Sequence, residues 1–271
     1  MVLSMILYDF LRKLESIIPR ELNLPWEFQG IEVGPVEESI QKEIDVRKVV
    51  LSVEMGRNAL SSVKRNEANL ILLNNPIVEH PVMVFDESLV RKLSFLLKER
   101  ASIYVAQSSL VMMDGGFNDQ IGKALTLERS GSIFVEVDGK EFPISRTFSY
   151  EGNFMARDFA REVASKLGVK YVRVLGNPES YVSRVAVFAG ELKRLEWVEV
   201  FKGEVDLLIT AIPSYDIGRY LSKVGIDVVA VDCKELKEFG MKGVKNIIQS
   251  EIANVVFIYE RSERDHSEIF F

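Results

Sequence analysis

Short apolar runs that stop abruptly at polar residues constrain this chain more than any other feature. Residues 69–73 are apolar after Asn69 and end at Asn74-Asn75. Residues 102–106 form a second such run and end at Gln107-Ser108-Ser109. Runs of this length, flanked by turn residues and rich in branched side chains, read as buried strands. Residues 58–64, before the first run, and 87–100, between the two, have helical period. Strand alternating with helix is the signature of a mostly parallel sheet. In such sheets ligands bind outside the carboxyl ends of the strands. The polar stops therefore mark the candidate site, and they carry amides and hydroxyls with no histidine, cysteine or carboxylate.

Taken in order, residues 3–18 have the spacing of an amphipathic helix ended by Pro19, and residues 19–34 read as a loop containing Trp26. A strand is expected over 48–54, a helix over 118–125, and a β-hairpin over 132–148 with an Asp138-Gly139 turn. A helix over 154–167, stopped by Gly168, leads to a strand over 171–175. Alternation then resumes: strands over 183–189, 205–210, 227–231 and 254–259, with helices over 214–224, 233–239 and 244–252. Ser214 suits a helix N-cap. The expected architecture is α/β, with two similar lobes of mostly parallel sheet. The first lobe spans 1–125, a hairpin-and-helix connection 126–182, and the second lobe 183–271.

The net charge of -6 argues against a sequence-independent nucleic-acid binder. The lone Cys233 cannot form an internal disulfide, which fits a reducing cytosol and excludes a multi-cysteine zinc site. The apolar start is interrupted by Asp9, Arg12 and Lys13, too soon for a signal peptide or membrane span, so a cytoplasmic protein is expected. His80 and His266 are the only histidines and sit in ordinary loop and tail contexts. Gly115-Gly116 lacks the three spaced glycines of a dinucleotide fingerprint and reads as a tight turn. Ser108 and Ser109 lack a histidine base, and Cys233, beside Asp232, reads as passive. Trp26 and Trp197 read as packing residues. The apolar end Ile269-Phe270-Phe271 suits docking on a neighbouring subunit or folding back on its own lobe.

Five stretches, in order, resemble the motifs of one family. Residues 26–34 (WEFQGIEVG) resemble a Trp-Asp-Asn-x-Gly-Leu-x-Val-Gly signature, and residues 68–76 (ANLILLNNP) resemble Ala-Asp-Leu-Ile-x-x-His-His-Pro. Residues 104–111 (YVAQSSLV) resemble Tyr-x-Ala-His-Thr-Asn-Leu-Asp, and residues 115–119 (GGFND) are close to Gly-Gly-Val-Asn-Asp. Residues 182–187 (VSRVAV) open the second half as in that family. The family is the NIF-three-like proteins, also called GTP cyclohydrolase I type 2 homologues. The resemblance implies two α/β lobes, a toroidal homohexamer and a dinuclear metal centre between the lobes. It implies metal ligands at the paired histidines, at the histidine and aspartate of the third motif, and at a C-terminal histidine and glutamate.

This chain departs from the family at those positions. The paired histidines are Asn74 and Asn75, the next is Gln107, and the aspartate is Val111. In one register of the C-terminal motif Lys234 replaces the histidine and Glu238 keeps the glutamate. Neutral amides bind zinc or iron far less well than imidazole or carboxylate. Losing the aspartate with the histidines avoids leaving a buried unpaired charge. The expectation is a metal-free, non-catalytic homo-oligomer without cofactor. It would act as a scaffold or bind a small polar or nucleotide-like ligand, with Trp26, Ser108 and Ser109 beside the site. The alternative is a metal-dependent hydrolase of the cyclohydrolase kind, which would need the divalent pair.

Overall fold

The computed structural model describes residues 4–78 and 81–263, without the side chains of residues 151–153. His80, His266 and the end at Ile269-Phe270-Phe271 lie outside the described residues. The chain divides into two compact units, one formed by residues 1–108 and 245–271, the other by residues 109–244.

The first unit is built on a five-stranded sheet. Its parallel core is β4 (Lys48–Ser52), β5 (Leu70–Leu73) and β6 (Ser102–Val105), with Val49 beside Leu70 and Leu70 beside Ser102. Strands β5 and β6 are buried along their whole length, which is why they read as unbroken apolar runs. The helices α3 (Arg57–Asn66) and α4 (Glu87–Glu99) follow β4 and β5. Val50, Ile71, Val105, Val63 and Leu96 belong to one buried cluster beneath them. The last strand, β13 (Val256–Tyr259), lies parallel to β4. It therefore belongs to this sheet and not to the second half of the chain, so residues 126, 182 and 183 are not where the units part.

Two expectations for the start of the chain need correction. Met5–Ile6 (β1) leaves the helix and pairs with Asp45–Val46 (β3), so α1 spans only Leu7–Ile17. The stretch read as loop contains β2 (Gly30–Val33), an antiparallel edge on β6. A four-residue edge strand flanked by glycines carries too little alternation to be read from sequence. The remaining short helix of this region, α2, spans Glu38–Gln41.

The second unit carries a six-stranded sheet in the order β7 (Glu128–Val137), β8 (Lys140–Met155), β10 (Tyr181–Phe188), β11 (Leu207–Ala211), β12 (Asp227–Val231), β9 (Arg173–Leu175). Only the pairs among β10, β11 and β12 are parallel. The hairpin pairs antiparallel with β10, so it is part of the sheet and not a connector. Asp138 and Gly139 both have positive φ, 52° and 76°, matching the twist that a two-residue hairpin turn needs. Helices α7 (Ala156–Leu167), α8 (Glu196–Glu199) and α9 (Tyr215–Lys223) follow in order, and the Ser214 hydroxyl accepts from the Ile217 amide as an N-cap.

The two helices expected over 233–239 and 244–252 are one, α10 (Cys233–Glu251). Gly240 and Gly243 are not breaks. A Cβ on Gly240 would fall 2.4 Å from Phe117, and one on Gly243 would fall 2.2 Å from Gln120. Both contacts are on α6 (Phe117–Ala124), so the glycines allow two helices to approach closely.

The Gly115-Gly116 turn is held from both sides. Gly115 has φ 73°, and a Cβ on Gly116 would meet the Leu110 carbonyl at 2.6 Å. The Asp119 carboxylate accepts from the Gly115 amide at 2.9 Å and pairs with Arg146 at 3.2 Å. The Arg146 side chain, 3% exposed, also donates to the Met112 and Pro143 carbonyls and to Ser132. Nearly every donor of a buried guanidinium is thus used, the condition under which burying it is tolerable. Replacing Arg146 by Met should leave Asp119 with Arg129, at 3.5 Å, as its one cation partner, deprive the Met112 and Pro143 carbonyls of a donor, and lower unfolding stability by about 1–3 kcal/mol. A urea titration showing a loss below about 1 kcal/mol would instead mean a surface-like pair.

Candidate functional site

The polar stops of β5 and β6 meet within the first unit. The Asn74 and Asn75 amides continue the ladder onto the Ser52 and Val53 carbonyls, at 3.3 and 2.9 Å. The two side chains therefore leave the end of β5 in succession. Asn74 is buried, and its Nδ2 donates to the Ala106 carbonyl at 3.2 Å and the Gln107 carbonyl at 2.9 Å. One carboxamide thus ties the ends of two parallel strands together. Its Oδ1 is buried and accepts no hydrogen bond among the described residues.

Neighbouring groups are committed in the same way. Asn75 Nδ2 donates to Glu54 Oε1 at 3.2 Å, and Gln107 Nε2 donates to the Phe28 carbonyl at 3.3 Å. The Ser108 hydroxyl accepts from the Leu24 amide at 2.9 Å and donates to the Leu22 carbonyl at 3.2 Å. Glu27 takes the Ser108 amide at 3.1 Å. Ser108 therefore staples residues 22–27 to the end of β6. Trp26, in that stapled segment, is 52% exposed. Exposure of that kind corrects the reading of Trp26 as a packing residue, whereas Trp197 is buried as expected.

Sequence reasoning missed Glu54, Glu27 and Glu32. Each acts through a fold-dependent partner that no local motif announces. Glu32, on β2, accepts from the Ile77 and Val78 amides at 3.0 and 2.9 Å and so anchors the chain just past Asn74-Asn75. Burial pushes its carboxyl above the usual range, against the lowering effect of those two amides and of Lys92.

The other expected positions belong to the second unit. Ser109 and Val111 lie on α5 (Ser108–Met112), a short helix not expected from sequence; both are buried, and Ser109 Oγ has no partner among the described residues. Lys234 and Glu238 stand one turn apart near the start of α10, and Glu238 is 3% exposed. Asp232 caps this helix, its carboxylate accepting from the Lys234 and Glu235 amides. Burial pushes the Cys233 thiol up, with Lys237 opposing it, so the sulfur stays protonated at neutral pH.

The metal pair that the family resemblance implies does not fit these residues. Asn74, Asn75 and Gln107 offer neutral amide oxygens, Val111 offers nothing and Lys234 offers a cation. Among the described residues no group of three or more histidine, cysteine, aspartate or glutamate side chains could hold a metal ion. No helix among them is long and apolar enough to cross a membrane.

Asn74 is the residue whose chemistry is most exposed to substitution. Asn74→Ala should lower unfolding stability by about 1–3 kcal/mol, the cost of depriving buried carbonyls of a donor. Asn74→Asp should cost more at neutral pH than in acid. A carboxylate facing two carbonyls has its folded pKa raised, so stability falls as pH climbs from the unfolded value near ~3.9 through the folded one. Urea titrations at several pH values check this; a pH-independent cost in Asn74→Asp contradicts the assigned geometry.

A model of the family described as Duf34/NIF3 (NGG1p interacting factor 3) matches residues 5–264. A Clostridium perfringens relative named GTP cyclohydrolase 1 type 2 homolog is 22% identical over 234 residues, covering 83% of this chain and 84% of the relative. An Archaeoglobus fulgidus relative of the same name is 22% identical over 209 residues, covering 77% of this chain and 81% of its own. Among solved structures, a Bacillus cereus protein related to NIF3 superposes with a TM-score of 0.79 at 15% identity, covering 98% of each chain. Reduced HcgD from Methanocaldococcus jannaschii gives 0.78 at 17% identity, covering 96% of this chain and 99% of that one. The motif order, the strand-end geometry and the family match agree, and the chain belongs to the Duf34/NIF3 family.

Proposed function

We propose that this chain is a metal-free, non-catalytic member of its family. In this reading Asn74, Asn75 and Gln107, with Trp26, Ser108 and Ser109 nearby, form hydrogen-bonding surface for a small polar or nucleotide-like ligand. Val111 and Lys234 complete the set of altered ligand positions, and Glu238 stands where the family pattern keeps its glutamate. The chain assembles as a homohexamer in the cytoplasm, where the assembly itself serves as a scaffold. Light scattering tests the assembly: a mass near the 30.8 kDa of one chain contradicts it.

One observation carries the reading. The Asn74 carboxamide donates both of its N–H groups to backbone carbonyls. A neutral imidazole has a single N–H and could not make both bonds. Asparagine here has an occupation of its own, which argues against a metal ligand worn away by chance. The buried Asn74 Oδ1, still without a donor, is the group a ligand would satisfy.

A hydrolase of the cyclohydrolase type would need a metal to activate water. A ligand that binds only the folded state raises its stability by mass action. Thermal unfolding should therefore be unmoved by added zinc, manganese or iron(II), and raised by at least one member of a nucleotide and polar-metabolite panel. Saturable stabilisation by a metal would overturn the metal-free reading. A flat response to the whole panel would overturn ligand binding and leave the scaffold role.

A further inference from the structure

The first unit also holds a cavity lined by none of the altered ligand positions, although the carbonyl of its wall residue Phe28 accepts from Gln107. Helix α1, residues 20–31 and helix α2 enclose a cavity of about 390 Å³, within the range of small-molecule sites. Its walls combine Phe28 and Val36, 46% and 73% exposed, with Arg12, Glu15, Arg20 and Gln29.

The polar groups have a direction. Gln29 is only 8% exposed. Its Nε2 donates to the Ile18 carbonyl at 2.9 Å and to the Tyr104 hydroxyl at 3.3 Å. The Tyr104 hydroxyl in turn donates to Glu15 Oε1 at 3.1 Å. The tyrosine hydroxyl has one proton, so it cannot also donate back to Gln29. Gln29 Oε1 is left buried without a donor among the described residues. A ligand N–H would satisfy it.

The charges are also unequal. Glu15 is paired with Arg20, and Glu38, on the rim, is paired with Lys42 at 3.9 Å. Arg12 meets Tyr8, its hydroxyl at 3.4 Å and its ring centroid at 5.8 Å, and no carboxylate among the described residues. The cavity wall thus includes Gln29 with its unfilled acceptor, a cation that meets no carboxylate among the described residues, and apolar flanks.

We infer that this cavity binds a small carboxylate that carries an amide N–H and an apolar body. The N–H meets Gln29 Oε1, the carboxylate meets the Arg12 guanidinium, and the apolar body lies against Phe28 and Val36. Hippurate (N-benzoylglycine) has all three features in one small molecule. Calorimetry and saturation-transfer NMR on the full chain should show one hippurate bound per chain. N-Benzoyl-N-methylglycine, without the N–H, and hippuramide, without the carboxylate, should each bind about tenfold more weakly. Arg12→Ala, at an exposed position, should weaken hippurate and leave hippuramide unchanged. Gln29→Met should abolish the preference for hippurate over its N-methyl analogue. No binding of hippurate, equal binding of all three compounds, or undiminished binding by Arg12→Ala would each overturn the assignment. None of these outcomes depends on the state of Asn74 or on metal content.

Discussion

A buried parallel strand cannot end without a partner for its last backbone groups, and this constraint governs the first unit. Strands β5 and β6 run side by side through the interior and stop there, where water is scarce. Backbone carbonyls in such places must find donors or lose free energy comparable to a hydrogen bond. Asn74 meets the need at the end of β6 with a single side chain. Ser108 and Glu27 then fasten residues 22–27 beside it, and Glu32 fastens the chain beyond β5. The strand ends are therefore defined by one connected set of polar contacts.

That network bears on the chemistry. An imidazole at position 74 has one N–H and would leave one of the Ala106 and Gln107 carbonyls to another donor, while an amide does not bind divalent metals with comparable strength. Asparagine serves both carbonyls at the cost of metal affinity. On the proposed reading, hydrogen bonding took over a place where metal ligation is expected from the family pattern. Val111 is consistent with this, since an aspartate there without a metal would be a buried charge without compensation. The second unit solves its own version of the problem with Arg146 and Asp119, where use of nearly all the guanidinium donors allows an ion pair inside.

Most of the fold was legible because buried parallel strands and amphipathic helices impose periods that survive in sequence. The runs over 69–73 and 102–106, the Asp138-Gly139 turn and the Ser214 cap each correspond to an element at that place. What was not legible depends on partners distant in sequence. β2 exists because β6 offers an edge, and β13 joins the first sheet because β4 offers the other. Gly240 and Gly243 look like helix breakers until α6 is seen against them. At the site, motif positions could be read but their occupations could not. Nothing local announces that Asn74 reaches Ala106 or that Ser108 is spent on Leu24. The acceptor of Gln29 is hidden for the same reason, since its vacancy follows from Tyr104 donating to Glu15.

The central claim is that the altered ligand positions form a hydrogen-bonding surface without metal chemistry. Elemental analysis of the full chain, purified without chelator and dialysed against metal-free buffer, tests it most directly. The account predicts zinc, iron and manganese well below one equivalent per chain. Two equivalents of any of them, retained through dialysis, would contradict it.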